Sequence, residues 1–198
     1  MFEHVEKFEQ ELAKFYGAPY AVVTDCCTHA IELCLRYKKF NNITIPSHTY
    51  ISVPFTFEKL NLKWNFIYKE WKDFYYLEGT NIIDAAVYWK EDSYIHGTFM
   101  VLSFQFQKHL SLGRGGMILT DKKEAAHALR CMSYDGRDNT TGPWGKQNIE
   151  TVGYHYYMTP ETAQSGISKF HDALCTEPKK WSYKDYPNLT TFKVFKNG

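Results

Sequence analysis

Short apolar runs alternate with helix-period stretches along most of this chain, and that alternation limits it to an α/β fold. Phe2, Val5, Phe8, Leu12 and Phe15 recur at helical spacing, and Gly17 followed by Pro19 is the punctuation that ends such a helix. The run Tyr20-Ala21-Val22-Val23-Thr24 then reads as a buried strand, Asp25-Cys26-Cys27-Thr28 as a turn of small side chains, and Ala30 to Leu35 as a mostly apolar helix. Ile43 to Pro46 is the next strand, Ser47 to Tyr50 a loop, and Pro54 suits the first turn of a helix to about Leu60. Trp64 to Tyr68 alternates weakly, and the following KEWKDFYYLEGT has no assignment. Further strands are expected at Asn81 to Asp84, Thr98 to Phe104 and Met117 to Thr120, with a helix from Asp121 to about Ser133. Strands that alternate with helices predict a mostly parallel sheet flanked by helices.

Beyond that helix the pattern loosens. Residues 134 to 152 are a long polar loop with Gly136, Gly142, Pro143 and Gly145, and loops of that length are usually functional or mobile. A last helix begins at Thr159-Pro160, with Thr159 as N-cap. The expected organisation is therefore one domain over residues 1–175 and an extended aromatic tail over 176–198.

Composition excludes several classes of function. With 23 Lys+Arg against 22 Asp+Glu, a net charge of +1 offers no global field for nucleic acid or anionic membrane. No apolar run approaches the roughly 18 residues that span a bilayer, and the charged, amphipathic start MFEHVEKFEQ is not a signal peptide. The five cysteines are odd in number and form no CxxC, so neither a disulfide framework nor a zinc site follows; reduced thiols in the cytoplasm are expected. The eight histidines include no HExxH, so no metal is expected. No GKS or GKT follows the glycines at 113–116, which excludes a P-loop.

Four places carry chemistry. Lys108 lies between an apolar run and the glycine turn Gly113–Gly116, where it is either an ordinary surface lysine or an amine at a pocket floor. Asp84 ends a strand and precedes Ala85-Ala86, at the end of the sheet where α/β proteins bind ligands, unless it only caps a helix. The turn at residues 25–28, between strand and helix, either holds an anion on helix-start amides or is a plain N-cap by Asp25 or Thr28. Tyr50 is either a flat platform for a ring or a packing residue.

These segments, taken in order, resemble the DegT–StrS family of pyridoxal-phosphate sugar aminotransferases. DCCTHAIELCL resembles that family's phosphate-holding SGTAALELAL, PSHTY its P-x-x-T-aromatic loop, and IIDAA its strand-ending (I/V)-x-D-A-A. SFQFQKHLSLGRGG is similar to SFHATKxxxxGEGG, and GYHYYMTPETAQSGI to GYNYRMSELQAAIGL. The likeness runs over roughly residues 5 to 170. It implies the large-domain fold of the fold type I transferases, pyridoxal 5'-phosphate as cofactor, and Lys108 as its Schiff-base anchor and proton carrier. It implies that Asp84 keeps the pyridine nitrogen protonated. Cys27, Thr28, His29 and Ser103 would hold the phosphate, Tyr50 would stack on the ring, and His155 would reach the neighbouring subunit's cofactor in a homodimer. The implied reaction moves an amino group from an amino acid, glutamate by expectation, to a keto sugar, nucleotide-linked by expectation.

Departures from the family pattern leave a second expectation, a catalytically reduced relative that serves as a regulatory or partner subunit. Val87 stands where members place a Gln or His that bonds the cofactor's phenolic oxygen, and Arg114 replaces a glutamate. His155 and Tyr157 replace an Asn and an Arg. Members are also roughly twice as long, with a C-terminal small domain that these residues almost wholly lack.

Overall fold

The computed structural model describes residues 2–196. Its elements follow in the order α1 (Glu3–Tyr16), β1 (Tyr20–Thr24), α2 (Cys27–Tyr37), β2 (Ile43–Pro46), α3 (Ser52–Lys59), β3 (Trp64–Ile67), β4 (Tyr75–Leu77), β5 (Ile82–Asp84), β6 (Phe99–Ser103), β7 (Gly116–Thr120), α4 (Lys123–Ser133) and α5 (Pro160–Leu174). Local signals account for the helix ends. Gly17 takes the left-handed conformation at φ 72°, which closes α1. Thr159 accepts the Thr162 amide at 3.3 Å and opens α5, with Pro160 in its first turn.

Five strands form one sheet in the order β1-β7-β6-β5-β4, and β2 with β3 forms a separate parallel pair. The expectation of a mostly parallel sheet is not met. Within the five-stranded sheet β5–β6 is parallel, whereas β1–β7, β6–β7 and β4–β5 are antiparallel. The reason lies in the connections. β4 turns into β5 through Gly79 (φ 85°), and β6 returns as β7 through a loop containing Gly113 (φ 79°). A tight turn of the β4–β5 kind joins antiparallel neighbours, and the longer connection of residues 104–115 likewise brings the chain back from the end of β6 to the adjacent start of β7.

Both faces of the sheet are covered, and strand alternation shows why. Val22, Ile82, Val101 and Ile118 point into one core with Ile31, Leu33 and Leu129 from α2 and α4. Their neighbours Val23, Ile83, Met100, Met117 and Leu119 point into a second core with Phe8 and Leu12 from α1 and Ala163 and Ala173 from α5. The result is three layers, helix–sheet–helix. Residues 176–196 then run back across the first core in an irregular path with three short 3-10 turns, pinned by the buried Leu189.

Candidate active site

β1, β5 and β6 run in the same direction, so their carboxyl ends share one edge of the sheet, the edge at which β7 begins. Thr24 and Ser103 both stand opposite Gly116, and Asp84 stands opposite Val101. A cavity of about 610 Å³ opens over this edge. Cys27, Thr28, Tyr50, Asp84, Ser103 and Lys108, all named from the sequence, line it.

The turn between β1 and α2 is held in an anion-binding form. Cys26, not Asp25 or Thr28, is the N-cap, and its sulfur accepts the His29 amide at 3.4 Å. Among the described residues no protein acceptor meets the amides of Cys27 and Thr28, and both residues line the cavity. Two hydroxyls stand beside them, Thr28 Oγ1 and Ser52 Oγ, 2.7 Å apart. Open amides at a helix start, with the helix dipole behind them, favour a phosphate-like anion. Gly116 makes this geometry possible, because a Cβ there would stand 2.5 Å from the Cys27 nitrogen.

Asp84 is buried at 7% exposure and held from two sides. Tyr75, its register partner on β4, donates its hydroxyl to Oδ2 at 2.5 Å, and the Ala86 amide donates to Oδ1 at 3.0 Å. Thr49 shares a short hydrogen bond with the same Tyr75 oxygen. Burial pushes the Asp84 carboxyl above its ordinary range, against the pull of Tyr75, Ala86 and Lys108. Burial also lowers Lys108, with Lys179 adding to that effect, while Asp84 and Cys27 act in the opposite direction. An amine and an acid that feel each other's charge thus share one cavity wall, each biased toward its neutral form.

Two histidines named from the sequence do not line this cavity: His29, expected in the phosphate turn, and His155, expected to reach the neighbouring subunit's cofactor and not this one. His29 directs its ring away from the cavity, stacked on Tyr156 at 3.6 Å and bonded to Asp25 at 2.7 Å. Burial opposes its protonation, but the Asp25 and Cys26 bonds outweigh it and raise His29 to about 9. His155 is exposed, 3.2 Å from the Asp135 carboxylate, and outside the cavity. Val87 does line the cavity, as does Arg114, whose guanidinium reaches Asp25 at 2.7 Å.

Other residues meet the cavity that the sequence did not single out: Ser52, Tyr75, Trp71, Trp181 and Tyr186. Tyr75 had a readable signal, since FYYL, Gly79-Thr80 and IID form a hairpin pattern. Trp181 and Tyr186 arrive from the far end of the chain, and nothing local marks them. Taken as a donor set, the wall suits a phosphorylated pyridine aldehyde. Amides and hydroxyls meet an anion, a buried acid meets a basic ring nitrogen, and an amine biased to its neutral form meets a carbonyl. The expected cofactor fits the residues present.

A sequence profile of the DegT/DnrJ/EryC1/StrS aminotransferase family matches residues 1–74 and 93–176. Tyr75, Asp84 and the tail beyond Thr176 lie outside the matched stretches. No curated protein sequence matches the chain. Solved structures with the same fold include AtS13 from Actinomadura melliaura, at 18% identity and TM-score 0.75, over 86% of this chain and 60% of that one. The sugar aminotransferase CalS13 from Micromonospora echinospora matches at 15% identity and TM-score 0.69, over 86% and 61%. Helicobacter pylori PseC, an aminotransferase involved in the biosynthesis of pseudoaminic acid, matches at 14% and 0.68, over 87% and 58%. This chain therefore spans about three fifths of the length of these relatives.

Proposed function

We propose, from the premise that this chain belongs to the DegT/DnrJ/EryC1/StrS aminotransferase family, that it is a pyridoxal-phosphate-dependent transferase. It passes an amino group from an amino acid, with glutamate as donor, to a keto sugar carried on a nucleotide. One observation carries this reading: the Lys108 amine and the Asp84 carboxylate share a cavity with two open amides at the start of α2. The sugar acceptor is supported by the name of the sugar aminotransferase CalS13. The nucleotide and the glutamate follow from the sequence resemblance.

Each residue then has a task. The amides of Cys27 and Thr28, with the hydroxyls of Thr28, Ser52 and Ser103, receive the phosphate. Asp84, oriented by Tyr75 and Ala86, presents a carboxylate that favours a protonated ring nitrogen. Tyr50 offers its face at the cavity wall. When bound, pyridoxal phosphate supplies a ring that accepts the electron pair left as a proton departs from the substrate carbon. Lys108 would hold the cofactor, and its free amine would take that proton and return it, its lowered basicity keeping a neutral fraction available for the task. We assign the protein to a homodimer in which the exposed His155 faces the neighbouring copy's pocket. Five unbridged cysteines favour the reducing cytoplasm.

The test is optical. Purified protein with added pyridoxal phosphate should acquire a visible absorption band that Lys108→Ala abolishes. A protein that stays colourless with excess cofactor would sink the proposal.

A further inference from the structure

Part of the cavity wall lies outside the stretches the family profile matches: Trp181, Asp185, Tyr186 and Pro187 come from beyond Thr176. The Trp181 ring lies over the Lys108 ammonium at 5.1 Å and over that of Lys179 at 3.7 Å. Such contacts with an aromatic face favour cationic or electron-poor partners. The tyrosine five residues on, Tyr186, packs between Trp71 at 5.5 Å and Trp181 at 6.1 Å. It lines the cavity, and among the described residues its hydroxyl has no protein partner. Its surroundings are anionic and apolar: burial, followed by the Asp84 charge, holds the phenol in its protonated, hydrogen-donating form.

This segment is fastened in place. The Asp73 amide donates to the Trp181 carbonyl at 3.0 Å, the Tyr183 amide to Trp71 at 3.1 Å, and the Leu189 amide to Ser47 at 2.9 Å. His48 Nδ1 meets the Tyr186 carbonyl at 3.0 Å. Leu189 itself is 1% exposed. Backbone bonds to two separate stretches, residues 47–48 and 71–73, with the buried Leu189 at the far end of the segment, describe a wall.

We propose that Trp181, Asp185, Tyr186 and Pro187 form the ligand-facing wall of this pocket. Tyr186 donates its hydroxyl to the molecule held at Lys108, and Trp181 covers the amine with its ring. A half-buried hydroxyl with no protein partner, on the wall beside a buried acid and an amine, is a donor placed for a ligand. The assignment of that molecule rests on reading Lys108 as the cofactor's anchor.

Two arms test it and separate the two claims. In the ligand-free protein, Trp181→Ala should raise the rate at which acetic anhydride modifies Lys108 by several-fold, read by mass spectrometry of the Lys108 peptide, and Trp181→Phe should restore protection. An unchanged rate overturns the wall, whatever the cofactor. In the second arm, pyridoxal phosphate is titrated into the parent and into Tyr186→Phe, with absorbance as the readout. Loss of one hydrogen bond should weaken binding by about tenfold and displace the band maximum. Tyr183→Phe, on the outer side of the same segment and bonded to Glu70, should leave both unchanged. Parent-like binding and spectrum in Tyr186→Phe would overturn the role of Tyr186 and leave the cofactor reading intact. A parent that does not bind pyridoxal phosphate overturns the cofactor reading, together with the role of Tyr186 toward it, and leaves the wall to the first arm.

Discussion

Tyr75 and Asp84 face each other across the β4–β5 ladder, and the tyrosine hydroxyl reaches the carboxylate at 2.5 Å from a neighbouring strand. The acid at the pocket floor is therefore oriented by a strand pairing as well as by its own backbone. Register and chemistry are coupled here, because a slip of one residue on β4 would turn Tyr75 to the other face of the sheet.

Tyr75→Phe removes a donor from a buried acid and leaves the ring in place. A hydrogen bond to a charged group contributes about 1.5–3 kcal/mol, so binding of pyridoxal phosphate should weaken by about tenfold or more. Thr49→Val, which acts on Asp84 only through Tyr75, should give a smaller loss in the same direction. Titration of the visible band measures both, and a Tyr75→Phe protein that binds like the parent would show the bond to be structural only.

Asp84 carries a stability cost in the ligand-free protein. Its folded-state pKa lies above that of the unfolded chain, so the folded state binds the extra proton and stability falls as pH rises between the two values. At neutral pH, Asp84→Asn should remove that cost while keeping an acceptor for the Ala86 amide and turning its NH2 toward the Tyr75 oxygen, which can accept. The melting temperature should rise by about 2–4 °C per kcal/mol recovered, while cofactor affinity falls. A lower melting temperature than the parent's in thermal scans at pH 7 would contradict this.

His29 shows the opposite sign. Its pKa is raised to about 9, so the protonated form stabilises the fold fully below the unfolded value of about 6.5 and loses that contribution as pH rises through about 9. Asp25→Asn should lower the imidazole midpoint and flatten stability over that window. Proton NMR of the ring gives the midpoint directly. A midpoint that stays near 9 without Asp25 would locate the effect at Cys26.

Gly116→Ala is expected to be severe. The added methyl would stand 2.4–2.6 Å from the carbon, nitrogen and oxygen of the Cys26–Cys27 peptide, which is backbone and cannot swing aside. Overpacking of this kind costs typically about 1–3 kcal/mol. The same displacement would spoil the open amides, so thermal stability and cofactor affinity should fall together. A variant that loses stability but keeps affinity would mean that the turn tolerates the shift.

What the sequence conveyed and what it hid follow from how far each contact reaches along the chain. The helix Glu3–Tyr16, the strand before Cys26 and the glycine turn after Lys108 are local patterns, and all were readable. The direction of the strands was not. It depends on whether a connection is a return or a crossover, and the turn at Gly79 and the longer loop over residues 104–115 are both returns. His29 looked like part of the phosphate turn, but its amide is taken by Cys26 and its ring by Tyr156, which lies far along the sequence. Trp181 and Tyr186 reach the cavity of Lys108 only because the chain returns over the core, a fact that no spacing or periodicity encodes.

The place of β7 in the sheet has a consequence for how the pocket comes into being. β7 lies between β1 and β6, so residues 116–120 must enter beside residues 20–24 before the sheet is complete. Gly116 is also the residue against which the Cys26–Cys27 peptide rests. The anion-binding turn has its sequence early in the chain but gains its backing only when a strand from beyond the middle arrives. Long-range pairings of this kind form slowly, because loop closure precedes the contacts that reward it. Pyridoxal phosphate added during refolding would thus find its binding turn only after that insertion, and would act as a clamp on the finished sheet, not as a template for it.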